Sequence, residues 1–217
     1  MIIYPTETAY AVGCAATDEK AIERIFQIKG RAKRKTLPLI VGSLAMAKKW
    51  FLFNKKELAL AKKFWPGPLT LVLPIRRKPT RLFSAIAENR RVGRKRLSRQ
   101  VVAKNDTAAV RVSGSRFVRR LVEALGEPLV STSANISGRG ECYSLSAAKK
   151  QLGEKMKLVD LAVDAGRLPK RLPSTIARVE DGKITVLREG PIKLERLVMV
   201  IPSEAKMNPN LKDLSQL

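Results

Sequence analysis

The chain has 217 residues, 45% of them hydrophobic, which suits one sizeable core or one domain with a tail and excludes a disordered chain. Lysine and arginine number 43 against 19 acidic residues, a formal charge of +24, which points to polyanionic partners, nucleic acid or nucleotide phosphates, or else to a host with a basic proteome. Histidine is absent, which removes Ser-His-Asp, Cys-His and His-zinc chemistry and leaves Lys, Arg, hydroxyls, carboxylates, backbone amides and a nucleotide-bound Mg²⁺.

The apolar runs, such as 69–73, are too short to span a bilayer. The chain opens on IIYP without a basic leader, so no signal peptide is read and a cytoplasmic protein is expected. Cys14 and Cys142 lie far apart with no CxxC spacing, which predicts small buried thiols and neither a disulfide nor a metal pair.

In chain order, residues 2–4 read as a strand broken by Pro5-Thr6-Glu7-Thr8, with a second strand over 10–14. The interruption is either an ordinary hairpin turn or a polar ligand-facing loop. Asp18 caps a helix to Lys29, with Ala21, Ile22, Ile25 and Phe26 as its buried stripe. Lys29-Gly30-Arg31 follows, then Lys33, Arg34 and Lys35. Cations split by a glycine can converge on one phosphate, although the helix dipole alone also favours them there. A strand over 37–41, a helix from Ser43 and another capped by Asn54 come next. Pro66-Gly67-Pro68 then makes a rigid corner into a strand at 71–73.

From 76 to 104 the composition shifts to a surface loop, and Arg90, Arg91, Arg94, Lys95, Arg96 and Arg99 crowd its second half. Such a run is either a solvated face or a track for an RNA backbone. No aromatic residue interleaves it, which argues against stacking on single-stranded bases. Residues 107–112 form a strand carrying Arg111 among apolar neighbours. That arginine needs an anionic partner, either a structural carboxylate or a bound one. Ser115 caps a helix with Phe117, Val118, Leu121, Val122 and Leu125 on one face, ended by Gly126.

Leu129 and Val130 read as the end of a buried strand that empties into Ser131, Thr132, Ser133, Asn135, Ser137 and Gly138. Small polar side chains at a strand end admit a ligand to the backbone; the other reading is an Asx/Ser turn capping the next segment. Ser146-Ala147-Ala148-Lys149 matches the SxxK of serine acyl enzymes, but without its companions it reads as helix surface. A strand over 158–163, a loop 166–173, a hairpin turned by Asp181-Gly182, an apolar element at 194–200 and a polar tail complete the chain. There is no GxGxxG, Walker A motif or internal repeat.

PTETAYAVG (5–13), KGR (29–31), FWPGPLTLVL (64–73), TAAVR (107–111), STSANISG (131–138), PSTI (173–176) and LREGPI (187–192) occur in this order. Together they resemble the YrdC-like family, whose members include threonylcarbamoyl-AMP synthases. The resemblance implies an α/β fold, a twisted mixed sheet flanked by helices around a basic central cavity, over 1–192, with 193–217 a short extension. It also implies a nucleotidyltransferase. L-Threonine, bicarbonate and ATP, with Mg²⁺ carried by the phosphates and no metal held by the protein, would give threonylcarbamoyl-adenylate and pyrophosphate. A downstream threonylcarbamoyl-transferase would pass the group to tRNA; double-stranded RNA is a further possible contact, and a non-catalytic RNA- or nucleotide-binding relative is the alternative. No membrane partner is implied.

Residue by residue, the resemblance assigns threonine to Thr8, Arg111, Ser131 and Ser174, with Arg111 on its carboxylate. Lys29 and Arg31 are assigned to catalysis at the triphosphate. Lys35, Thr107, Ser133, Asn135 and Arg188 complete the ATP site. The sequence departs from the family pattern at Ala9, Ala11 and Thr36, at Ile40 where many members have histidine, and in GRGECYSLS after STSANISG. Members also normally carry a helix before the first strand, whereas Met1 stands almost on it, and the second domain of long-form enzymes is not expected in the 25 or so residues that follow.

Overall fold

The computed structural model describes residues 1–30, 36–76 and 96–200. Among these residues nine strands form one mixed sheet: β1 (Ile2–Pro5), β2 (Tyr10–Ala15), β3 (Leu39–Val41), β4 (Leu69–Pro74), β5 (Thr107–Val112), β6 (Leu129–Ser133), β7 (Leu161–Ala162), β8 (Thr175–Glu180) and β9 (Lys183–Arg188). Their order across the sheet is β7-β1-β2-β6-β3-β5-β4-β8-β9. Helices α1 (Glu19–Lys29), α2 (Leu44–Trp50), α3 (Lys55–Phe64), α4 (Arg116–Leu125), α5 (Leu145–Leu152) and α6 (Leu194–Val198) flank it. The α/β class read from the sequence is the one observed.

Local chemistry sets the helix ends. Asp18 accepts from Ala21 N–H, and Gly30 at φ 58 stops α1 in the left-handed region. Asn54 and Glu57 form a reciprocal capping box at α3. Asp181 and Gly182, both at positive φ, turn the β8–β9 hairpin as the Asp-Gly pair predicts.

The sheet buries both faces. One carries the main core, which includes Ile22, Ile25 and Phe26 of α1 with Val12, Leu39, Val110 and Leu71. The other packs Tyr4, Ala11, Ile40 and Leu129 against Val118 and Val122 of α4. Phe117 stands 43% exposed: the apolar stripe of α4 is wider than the strip of sheet it covers, so its flank stays in solvent.

Three other elements differ from the sequence reading. β6 continues through Ser133, because Ser131, Thr132 and Ser133 pair with Gly13, Val12 and Ala11. Gly13 permits this close approach, since a Cβ there would lie 2.2 Å from the Val130 carbonyl oxygen. The strand expected over 158–163 shrinks to Leu161–Ala162, paired only with Ile2 and Ile3, because a 3₁₀ turn occupies Gly153–Leu158. At the other end, α6 buries Leu197 fully, and Met199 just after it is 83% exposed. Arg90, Arg91, Arg94 and Lys95 of the basic run, and the tail from 201, lie outside the described residues.

Candidate active site

Strand ends and the turns that join them build one cavity of about 110 Å³. Its lining includes Thr8, Arg111, Ser131, Ser133, Ser174 and Arg188, all named from the sequence. Thr6, Thr70, Ile40 and Glu141 line it too. Drug-sized ligands occupy roughly 300–1,000 Å³, so the enclosed part suits a small molecule and a nucleotide has to extend across its rim.

Arg111 lies on β5 at the β3-facing centre of the sheet. Its Nη1 donates to Glu7 Oε1, and both side chains are largely buried, 11% and 15% exposed. Glu7 also accepts from Ser113 Oγ at 2.6 Å and Gly114 N–H at 3.1 Å. Burial pushes the Glu7 carboxyl up, but the Arg111 guanidinium and the Ser113 hydroxyl outweigh it and leave it below the usual carboxylate range. The turn of PTET thus does two things: Glu7 reaches back to Arg111 while Thr8 faces the cavity. Thr6 holds the turn, with its hydroxyl on the Ala9 carbonyl at 2.7 Å.

Ser174 precedes β8 and is 6% exposed. Its Oγ lies 2.8 Å from Thr70 Oγ1 and accepts from Arg188 Nη2 at 3.0 Å. Arg188 also grips the Ser174 carbonyl, through Nε at 3.0 Å and Nη2 at 2.8 Å. Gly190 is what lets the chain double back here, since a Cβ would lie 2.4 Å from both Pro173 O and Thr175 N. Desolvation and then the Arg111 charge pull the Arg188 pKa down, and Glu141 opposes this. Two guanidinium groups therefore share one cavity, Arg111 offset by Glu7, and both offer donors where an anion would sit.

Lys29, the last residue of α1, is 3% exposed. Its Nζ donates to the Ser133 carbonyl at 2.7 Å and Asn135 Oδ1 at 2.6 Å, with Ser133 Oγ at 3.4 Å. Asn135 in turn donates to the Arg139 carbonyl at 2.5 Å. The structure thus joins Lys29, Ser133 and Asn135 in one network beside the cavity. Arg31 and Lys35 lie outside the described residues. Thr107 is not at the cavity wall: its hydroxyl donates to Asn105 at 2.8 Å, and it sits four residues before Arg111, roughly 13 Å along the strand.

The two cysteines are buried and free. Burial pushes the Cys14 thiol up to about 12, so it is protonated and inert at neutral pH. The SxxK residues Ser146 and Lys149 are exposed on α5, away from the cavity lining. Sequence reasoning did not find Thr70, or Glu7 as the partner of Arg111. Part of the signal was present: an arginine in an apolar strand demands an anionic partner, but nothing local tied Arg111 to a glutamate 104 positions away.

Comparison with known proteins decides the family. The model of the Sua5/YciO/YrdC family, described as "Telomere recombination", matches residues 1–190. The chain belongs to this family. Among Sua5/YciO/YrdC relatives, a threonylcarbamoyl-AMP synthase of Pseudoalteromonas translucida is 31% identical over 189 residues, 85% of this chain and 89% of the relative. A threonylcarbamoyl-AMP synthase of Pyrococcus abyssi is 30% identical over 213 residues, 96% of this chain but 55% of the relative. The chain therefore spans about half the length of that archaeal protein. The crystal structure of P. abyssi Sua5 complexed with L-threonine superposes with a TM-score of 0.75 at 30% identity, covering 92% of this chain and 53% of that one. Escherichia coli YciO gives 0.72 at 27% identity, covering 90% and 85%. Among the described residues no helix is long and apolar enough to cross a membrane.

Proposed function

We propose that this chain is a threonylcarbamoyl-AMP synthase, a nucleotidyltransferase that makes threonylcarbamoyl-adenylate and pyrophosphate from L-threonine, bicarbonate and MgATP. One observation carries the reading: Thr8, Arg111, Ser131, Ser174 and Arg188 converge on a single small cavity, with the Lys29–Ser133–Asn135 network at its side. Relatives named as synthases, and a neighbour complexed with L-threonine, support it.

The chemistry follows from charge and geometry. The threonine carboxylate pairs with Arg111, whose guanidinium Glu7 holds in place, while Thr8, Ser131 and Ser174 supply hydroxyls around the rest of the molecule. The amine and bicarbonate form a carbamate. A carbamate oxygen then attacks the α-phosphorus of ATP, and the bond to the bridging oxygen of pyrophosphate breaks. Both reactants are anions, so positive charge must be concentrated between them. Lys29 and Arg31 supply it at the phosphates, with Lys35, Ser133, Asn135 and Arg188 around them and Thr107 further out on the face of β5 that carries Arg111. Magnesium enters with the ATP as part of the substrate. Alignment and neutralisation carry this reaction, so a chain without histidine is competent for it.

In this reading the chain works in the cytoplasm, its product goes to a downstream threonylcarbamoyl-transferase, and the final acceptor is tRNA. The formal charge of +24 favours a second reading, a protein that holds RNA or nucleotide without synthesis. Pyrophosphate release separates the two. It should require ATP, Mg²⁺, threonine and bicarbonate together, and should vanish in Lys29→Ala. RNA binding that survives Lys29→Ala, with no threonine-dependent pyrophosphate from the wild type, would favour the second.

A further inference from the structure

Carbamate formation presents a proton problem that the residues assigned so far do not solve. An α-amino group enters as an ammonium, and an ammonium has no lone pair to attack carbon. Some group near it must take a proton. The chain has no histidine, and the thiols of Cys14 and Cys142 are both pushed up by burial. Lys29 and the arginines are cations. That leaves carboxylates.

Glu7 is already committed, to Arg111, Ser113 and the Gly114 N–H. Among the described residues that line the cavity, Glu141 is the only carboxylate. It is partly buried, and its side chain accepts one hydrogen bond among the described residues, from Tyr143 Oη at 3.4 Å, the outer limit for such a bond. Its backbone is held on both sides. Asn135 Nδ2 and Gln151 Nε2 donate to the Gly140 carbonyl at 3.4 and 3.2 Å, and Tyr10 N–H donates to the Cys142 carbonyl at 2.9 Å. The last bond ties this segment to the start of β2, directly after Thr8 and Ala9. Among the described residues, the charged and titratable groups around Glu141 are Arg188 of β9 and Arg111 of β5, which line the same cavity, and Tyr143 and Cys142 of its own segment. One carboxylate and two guanidinium groups thus line the same cavity, a set of charges complementary to a zwitterion.

We infer that Glu141 binds the α-ammonium of the amino-acid substrate and accepts its proton, making it the general base for carbamate formation. This rests on the synthase reading above. The step balances: the ammonium gives one proton to the Glu141 carboxylate and becomes a neutral amine. The amine nitrogen bonds to the bicarbonate carbon, a C–O bond breaks, and the departing hydroxide takes a second proton from nitrogen and leaves as water. Glu141 then returns its proton to solvent.

Glu141→Gln keeps the shape of the side chain and removes the base. The variant should lose about 100-fold or more in kcat for threonylcarbamoyl-adenylate at neutral pH, with its affinity for MgATP unchanged. The loss should narrow as the pH rises through the titration of the α-ammonium of free threonine, which its own carboxylate holds above the peptide value of about 8, because free amine then forms without help. An unchanged kcat, or a loss of equal size at every pH, overturns the proposal. A second measurement stands apart from synthesis. By calorimetry L-threonine should bind the wild type about tenfold more tightly than Glu141→Gln, whereas N-acetyl-L-threonine, which has no ammonium, should not discriminate between them. That pattern supports the ammonium site even if the wild type makes no adenylate, in which case the synthase reading alone fails. Equal threonine binding by both proteins, or none by either, overturns the proposal.

Discussion

Lys29 and Arg111 are both cations withdrawn from solvent, and the fold treats them differently. The acceptors Lys29 meets at Ser133 and Asn135 are neutral: a peptide carbonyl, an amide oxygen and a hydroxyl. Arg111 meets a carboxylate, Glu7. Those oxygens aim the Lys29 ammonium from the end of β6, whereas the Glu7 carboxylate fixes the Arg111 guanidinium and offsets part of its field. The Lys29 side therefore suits charge stabilisation at a phosphate, and the Arg111 side suits positioning. The first should govern kcat and the second KM.

The sharpest way to break that contrast is Lys29→Met, which keeps the length of the stem and removes the charge. It should lower kcat for the adenylate by 100-fold or more, the scale seen when an electrostatic stabiliser is lost, while threonine affinity measured by calorimetry stays near wild type. Arg111→Lys should do the reverse. Loss of the planar fork should raise the KM for threonine about tenfold or more with a smaller change in kcat, read from steady-state kinetics.

Glu7→Gln should act first on stability. Breaking one side of a buried ion pair costs about 3–5 kcal/mol, visible as an earlier urea midpoint at pH 7. The sign with pH is fixed by the direction of the shift. The folded-state pKa of Glu7 is lowered, so its contribution is complete above the ordinary glutamate value and fades as the pH falls through the lower folded value. Wild-type stability should decline on acidification below about pH 4 more steeply than that of the variant. Gly190→Ala should be milder: its Cβ, 2.4 Å from Pro173 O and Thr175 N, must displace Ser174, which should raise the threonine KM severalfold. At the small end, Ser146→Ala and Lys149→Ala should leave turnover unchanged, because both residues are exposed on α5.

Much of the fold was legible because its punctuation is local. Asp18, Ser43, Asn54 and Ser115 all cap the helices that their position predicts, and the Asp181-Gly182 turn is encoded in two residues. What was not legible depends on pairing at a distance. Ser131–Ser133 look like loop residues in isolation and become strand only because Gly13 opens β2 to them. The expected strand at 158–163 shortens to Leu161–Ala162 because the 3₁₀ turn before it runs through Leu158. The site shows the same division. The motifs that carry the family resemblance pointed to Thr8, Arg111, Ser133 and Ser174, but the Glu7–Arg111 pair spans 104 positions and has no local signature. Glu141 was visible only as a departure from the family pattern. Its place at the cavity with Arg188 comes from the tertiary fold.

The most direct test of the central claim is mass spectrometry of the product formed by the purified chain with MgATP, L-threonine and ¹³C-bicarbonate. A synthase gives threonylcarbamoyl-adenylate carrying the label, dependent on every component and absent with Lys29→Met. ATP binding without any labelled adenylate, from a wild-type protein shown to be folded, would contradict it.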